Sequence, residues 1–312
     1  SLHKFGVEGV GLYRTEFLYL TAASLPGERE LYDNFKSVVQ EMGSRPVVIR
    51  TLDIGMDKQF GDGLSIDEDN PALGLRGIRL SLANPQLLTD QIKGILRASL
   101  YGNVKILYPM ISSVTEIIQA NKIVEEAKNA LRKDQIPFNE DIEIGAMIET
   151  PAAAICIDHI LKEVDFVSIG TNDLIQYLLA VDRINENVAH LYQPFHPSVL
   201  RTLKNIMQSA ENAGKKVSIC GELGGDPMAT MLLLGLGKLD DLSMEPHSVP
   251  KVKKIIRTIR LEEARQLADE VLEMSSPDEI TSFITSEMRV RFPEDFDRDL
   301  SFEEKLNPAK RE

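Results

Sequence analysis

The sequence predicts an α/β protein built as a (β/α)8 TIM-type barrel, and three observations predict it. Short β-type runs recur along the 312 residues, with segments of helical spacing between them. The runs are almost continuously apolar, which implies strands buried on both faces, as in a parallel sheet. Most of them close on a polar or reactive residue where the apolar pattern stops, as expected when the carboxyl ends of many strands share one face. A doubly wound open sheet is the alternative, but it gathers ligand groups at one switch point instead of from nearly every strand.

Taken in order, Val10 to Tyr13 ends in Arg14, Val47 to Ile49 in Arg50, and Ile106 to Tyr108 at Pro109 and Met110. Ile144 to Ile148 then ends in Glu149, Phe166 to Ile169 leads into Asn172 and Asp173, Val217 to Ile219 ends in Cys220, and Leu242 to Met244 ends in Glu245. These are seven strands, so the first strand of an eight-stranded barrel is expected upstream of residue 1, with Ser1 to Gly6 as the tail of a helix. Val114, Ile117, Ile118, Ile123 and Val124 have helical spacing, as do Leu200, Leu203, Ile206, Met207 and Ala210. One amphipathic helix is expected after Pro250, with Ile255, Ile256, Ile259, Ala264, Leu267, Val271 and Leu272 on one side, closing the outer layer. Residues 1–292 form the expected domain, and 293–312, dense in charge, a flexible tail. The stretch from Gly55 to Arg79, rich in Gly, Asp, Asn and Pro, reads either as a loop over the barrel mouth or as an ordinary surface excursion.

Composition narrows the function. With 35 Lys and Arg against 48 Asp and Glu, the formal charge of −13 argues against nucleic acid as the main partner. The longest apolar stretch, Met228 to Gly237, is about half of the roughly 20 residues a membrane span requires. Two cysteines far apart and no signal-like start fit a reducing, cytoplasmic setting. There is no Gly-x-x-x-x-Gly-Lys-Ser/Thr loop, no His-Glu-x-x-His pair and no nucleophile elbow. His196, between Phe195 and Pro197, reads as structural, and His3, His159, His190 and His247 carry no assignable role.

The strand ends suggest a chemistry. Arg14 and Arg50 face one mouth, and Arg76, Arg79 and Arg183 come from loops able to reach it; guanidinium forks suit phosphate and carboxylate. For Arg79 a salt bridge with a neighbouring acid is the competing reading. Glu149 and Asp173 end adjacent strands, a placement suited to a hard divalent cation, or alternatively to capping the helices that follow. Cys220, beside Gly221 and Glu222, would stay protonated at neutral pH, which favours an acid over a nucleophile; a small buried hydrophobe is the other reading. Cys156, within Ala152-Ala153-Ala154-Ile155-Cys156-Ile157, is expected to be core packing.

Six ordered segments also resemble the phosphoenolpyruvate-utilising enzymes. They are Gly9-Val10-Gly11-Leu12-Tyr13-Arg14-Thr15-Glu16-Phe17, Arg50-Thr51-Leu52-Asp53-Ile54-Gly55, Asn70-Pro71-Ala72-Leu73-Gly74-Leu75-Arg76, Gly145-Ala146-Met147-Ile148-Glu149-Thr150-Pro151-Ala152, Ser168-Ile169-Gly170-Thr171-Asn172-Asp173-Leu174 and Cys220-Gly221-Glu222-Leu223. Gln176-Tyr177 and Ala180-Val181-Asp182-Arg183 look closer to the Enzyme I branch, from the bacterial phosphotransferase system, than to pyruvate phosphate dikinase. The resemblance implies that Arg14, Arg50, Asn172 and Arg183 grip the phosphoryl group, with Lys58 and Arg76 near it. It further implies that Glu149 and Asp173 hold Mg2+, and that Cys220 donates a proton to the methylene carbon of enolpyruvate, giving pyruvate. The implied partners are a phosphohistidine domain of the same parent protein and a small histidine phosphocarrier protein, in a homodimer. Two departures from the family pattern stand out. The Gly-rich Ser-His acceptor motif is absent from this sequence, and Met56 stands where many relatives have Gly or Ala, which bears on the path of the loop carrying Lys58. Rival readings are the barrel of a dikinase or phosphoenolpyruvate synthase, and a module that senses phosphoenolpyruvate.

Overall fold

A computed structural model describes residues 2–21, 24–54 and 68–296. Met56 and Lys58, in the expected mouth loop, lie outside the described residues, as does the tail from 297. Seven parallel strands pair in chain order: β1 (Val10–Tyr13), β2 (Val47–Arg50), β3 (Val104–Tyr108), β4 (Glu143–Ile148), β5 (Phe166–Gly170), β6 (Lys216–Cys220) and β7 (Asp241–Leu242). All seven expected runs are strands. The register runs without slip from Val47 opposite Val104 to Arg50 opposite Leu107, and on to Gly170 opposite Cys220. The sheet nearly closes on itself, because a Cβ placed on Gly11 would lie 2.8 Å from Cβ of Ser243, just past β7. The architecture is an incomplete TIM-type barrel.

Strand periodicity sorts the side chains into two layers. Val47, Ile49, Ile106, Tyr108, Ala146, Ile148, Val167, Ile169, Val217 and Ile219 belong to the large core shared with the helices. Their alternates Val48, Leu107, Met147, Phe166 and Cys220 form a second cluster, joined by Leu12, which fills the barrel interior. Arg50 and Cys220, two residues beyond Val48 and Ser218, inherit the inward phase and so reach the interior at the carboxyl end.

The outer layer comprises α1 (Glu16–Leu20), α2 (Glu28–Met42), α3 (Ile78–Ala83), α4 (Pro85–Ala98), α5 (Val114–Lys133), α6 (Pro151–Ile155), α7 (Ile157–Ile160), α8 (Thr171–Leu179), α9 (Pro197–Asn212) and α10 (Pro227–Leu236). Beyond β7 follow α11 (Val249–Thr258), α12 (Leu261–Glu273), α13 (Pro277–Arg291) and α14 (Pro293–Phe296). Side-chain caps mark several starts. Ser113 and Glu116 form a reciprocal capping box on α5, Thr150 caps α6, Asp226 caps α10, and His196 accepts from the Ser198 N–H at the start of α9. That gives His196 the structural role expected of it.

Four expectations are corrected. The helix expected after Pro250 is two, α11 and α12, divided where Ile259 and Arg260 are extended. The break turns the chain so that both halves pack on α10, which a straight rod of that length could not do. Cys156 is exposed rather than core, because it sits at the junction of α6 and α7 with Ile155 also turned outward. Pro293–Phe296 is helical and Phe296 is buried against Phe292, so packed chain continues past residue 292. Arg79 lies on α3 and donates to the carbonyl oxygens of Leu73 and Gly74, at 3.3 and 3.4 Å, and pairs with no acid among the described residues.

Helix α10 packs closely on α12, where a Cβ placed on Gly235 would lie 1.9 Å from the Ala264 carbonyl oxygen. Gly235→Ala must push the backbones of the two helices away from each other. It is expected to cost about 1–3 kcal/mol, read by calorimetry as a Tm lowered by roughly 2–4 °C per kcal/mol.

Candidate active site

At the carboxyl end of the barrel, Asp53 beyond β2, Glu149 beyond β4 and Asp173 in the first turn of α8 each place a carboxylate oxygen within 4.8 Å of the other two. Glu149 is 1% exposed and Asp53 9%, so this is a crowd of like charges with little water to screen it. The helix-cap alternative fails for Glu149, since Thr150 caps α6. Burial first, and then the charge of Asp53, push the Glu149 carboxyl up to about 8, against the opposing pull of Arg50.

Two guanidinium groups offset the crowd. Arg50 donates from Nη2 to Glu16 at 2.9 Å and from Nη1 to Met147 Sδ at 3.7 Å, pairs through Nη1 with Asp53 at 2.9 Å, and has its Nε buried without a partner. Glu16 also accepts from the Asp53 N–H at 3.2 Å, so one carboxylate holds both the arginine and the turn beyond β2. Arg76 bonds both oxygens of Asp53 at 3.1 Å, approaches Asp173 at 3.6 Å, and reaches the Tyr177 hydroxyl at 3.3 Å. Burial works against the charge of both arginines, but the carboxylates around them win and hold them protonated more firmly than a free arginine. Tyr177 in turn donates to the Ala72 carbonyl, tying α8 to the Asn70–Leu75 turn.

Cys220 faces this group from β6. Its thiol is 3.4 Å from the Ile169 carbonyl oxygen and 3.6 Å from Ser168 Oγ, and the residue is 3% exposed. Burial pushes the thiol up to about 11; Glu149 adds to the rise, while Ser168, Arg50 and Arg14 oppose it. Arg14, exposed, directly follows Tyr13, the last residue of β1, and so leaves the barrel at the same carboxyl end. An outer ring follows. Asn172 Oδ1 accepts from the Glu222 N–H at 3.0 Å, Arg183 lies 3.9 Å from Glu222, and the Tyr192 hydroxyl donates to the Asn172 carbonyl at 3.3 Å. Gly221, at φ +95°, permits that closeness: a Cβ there would sit 2.5 Å from Thr171 Oγ1.

The structure thus brings Arg50, Arg76, Glu149, Asp173 and Cys220 into one inner group, and Asn172 and Arg183 into the rim, with Arg14 on that face. Strand-end reasoning missed Asp53, Glu16, Ser168, Tyr177 and Tyr192. Asp53 had a signal, since it lies three residues past the end of β2, the spacing of its ion pair with Arg50. The donor set of the triad is all carboxylate oxygen, which fits a hard divalent cation.

A barrel mouth with buried guanidiniums, a carboxylate triad and a protonated thiol suits a small polyanion held together with such a cation. Residues 1–261 match the family described as PEP-utilising enzyme, PEP-binding domain, and the chain belongs to that family. It is 46% identical over 285 residues to a phosphoenolpyruvate-protein phosphotransferase of Priestia megaterium, covering 91% of this chain and 50% of that protein. The same name is carried by a Haemophilus influenzae protein 47% identical over 279 residues, covering 89% of this chain and 48% of the other, and by a Listeria monocytogenes protein 47% identical over 279 residues, covering 89% and 49%. The chain spans about half the length of these relatives. A citrate lyase from Burkholderia xenovorans superposes with a TM-score of 0.46 at 14% identity, covering 89% of this chain and 90% of the other.

The two cysteines differ in access and state. At pH 7.5 iodoacetamide is expected to label Cys156 and spare Cys220, as read by peptide mass spectrometry; preferential labelling of Cys220 would contradict the buried, protonated thiol.

Proposed function

We propose that this chain is the phosphoenolpyruvate-binding barrel of an Enzyme I. It binds phosphoenolpyruvate with Mg2+, delivers the phosphoryl group to a histidine on a separate domain of the parent protein, and releases pyruvate. The observation that carries the reading is the placement of a buried, protonated Cys220 against the face that bears Arg50 and the carboxylate triad. In this reaction the bond from phosphorus to the enol oxygen breaks as an imidazole nitrogen bonds to phosphorus. The remaining enolpyruvate gains a proton at its methylene carbon from Cys220, whose thiolate then recovers one from water. Arg50, Arg14, Arg183 and Asn172 would bind the phosphoryl oxygens, with Arg76 and Lys58 beside them. Cations around the transferring group offset its charge, and positioning supplies much of the rate. Asp53, Glu149 and Asp173 would hold Mg2+, which when bound adds positive charge against the phosphate and enol oxygens.

The remainder of the reading concerns the parent protein. It includes a small histidine phosphocarrier as the next acceptor, a homodimer and a cytoplasmic setting. Among the described residues no helix is long and apolar enough to cross a membrane.

The test is deuterium exchange into the methyl group of pyruvate, followed by NMR in D2O with Mg2+. The wild type is expected to exchange, whereas Cys220→Ala slows exchange by about 10²-fold or more and keeps phosphoenolpyruvate affinity within about threefold by calorimetry. Absence of exchange in the wild type would leave a binding module and sink the catalytic reading.

The raised Glu149 also gives a pH dependence. A buried carboxyl with a raised pKa contributes stability that is present below its ordinary value of 4.5 and lost as pH climbs through about 8. A bound divalent cation favours the charged form and reverses that loss. The Tm increment from saturating Mg2+ is therefore expected to be larger at pH 8 than at pH 6; an increment equal at both would place the cation elsewhere.

A further inference from the structure

Met110 is buried at 1% exposure, immediately beyond β3, and takes φ +55°, a left-handed backbone that a residue with a side chain rarely adopts. Its N–H donates to Oε1 of Glu149 at 2.6 Å. One residue on, the Ile111 carbonyl accepts from Thr150 Oγ1 at 2.8 Å. Two consecutive residues of the turn after β3 are therefore bonded to two consecutive residues of the turn after β4. The side chain of Met110 meets a third segment. Gly77, at φ +58°, lies so close beneath it that a Cβ placed there would sit 2.8 Å from Met110 Cβ, 2.9 Å from its Cγ and 3.1 Å from Asp53 Oδ1. Gly77 directly follows Arg76, whose guanidinium holds Asp53 and approaches Asp173.

We propose that Met110 and Gly77 are positioning residues for the carboxylate triad: the left-handed Met110 peptide sets the direction of the Glu149 carboxylate, and the bare α-carbon of Gly77 lets Met110 adopt that shape. The inference rests on the reading that the triad holds a divalent ion. No ionic partner of Glu149 is bonded to it among the described contacts, so the main-chain donor is what orients it. Arg50 is engaged by Glu16 and Asp53 instead. A main-chain donor cannot rotate away as a long side chain can, and a strained turn clamped at two points resists drift. Hydrogen bonds of this kind to a metal ligand are typically worth about 10–100-fold in metal affinity.

The test titrates Mn2+ into the whole chain, with free ion measured by electron paramagnetic resonance and Tm measured separately in EDTA. Gly77→Ala is expected to weaken Mn2+ binding by about tenfold or more. In a Met110→Gly background, where there is no Met side chain to displace, the same Gly77→Ala change is expected to cost at least about threefold less than in the wild-type background, what remains being the strain at φ +58° and the approach of the new Cβ to Asp53 Oδ1. Equal losses in the two backgrounds, or unchanged Mn2+ affinity in a folded Gly77→Ala chain, overturn the proposal even when Tm falls. Should Gly77→Ala not fold, Thr150→Val removes the companion bond to Ile111 together with the α6 cap and leaves every carboxylate in place, and Thr150→Ser, which keeps the hydroxyl, serves as its control. About three- to tenfold weaker Mn2+ binding then supports the clamp, and unchanged affinity overturns it. If the wild type binds no Mn2+, the reading of the triad falls first and takes the inference with it, an outcome distinct from wild-type binding with uncoupled variants.

Discussion

Three carboxylates gathered within 4.8 Å at the dry end of a barrel repel one another, and the rest of the site is arranged around that repulsion. Arg50 and Arg76 are the fixed answer to it, each bonded to Asp53 and each held protonated by its surroundings. They leave Glu149 without an ion pair of its own among the described residues, and burial first, with the charge of Asp53 added, raises its proton affinity. A site with charge to spare is poised for a further cation. Isolated ion pairs at a surface would contribute little, whereas here water is largely excluded and each pair carries weight.

The fold makes this crowding tolerable by spreading its members over different strands. Asp53, Glu149 and Asp173 come from three turns, each anchored by contacts that do not involve the carboxylate. Gln91, fully buried on α4, accepts from the Leu52 N–H and donates to Thr15, fixing the turn before Asp53. Thr150 fixes the turn that bears Glu149, and Tyr177 ties α8 to the segment before Arg76. The hydrophobic layer between strands and helices thus holds the polar groups where their mutual repulsion would not leave them.

Much of this was legible in the sequence, for a definite reason. A parallel barrel aligns strand ends, so an apolar run that stops at Arg50, Glu149 or Cys220 reports both a strand boundary and a functional face. The rule fails one turn further on. Asp53 lies in irregular backbone, where no periodicity fixes direction, and only its spacing from Arg50 hinted at its role, whereas Arg76 was read as reaching the mouth without the strand pattern saying what it would hold. Met110 was read as the place where a strand ends, and nothing in its residue type announces a left-handed peptide. Cys156 went the other way: its apolar neighbours suggested a core position, yet a break between two short helices turned it to solvent. The same kind of local break divided α11 from α12. Periodicity registers which face is apolar, not whether the axis continues.

The site has an inner and an outer tier, and their physical difference bears on what each can do. The inner groups sit at the ends of paired strands or in turns bonded to them, and they are nearly free of solvent. Under the proposed function, electrostatic stabilisation of a transferring phosphoryl group would need this, because a donor that must reorganise contributes less than one already in place. The outer groups, Arg14, Arg183 and Glu222, are exposed and lightly bonded, with Arg183 and Glu222 3.9 Å apart. Under the proposed function, a chain of charge −13 would repel a small polyanion at long range, so its capture would depend on cations at the rim acting within roughly one Debye length, about 8 Å at physiological salt. Buried guanidiniums already engaged by carboxylates cannot supply that field, and exposed ones cannot supply fixed geometry. The division of arginines between rim and interior follows from the two demands being incompatible in one residue.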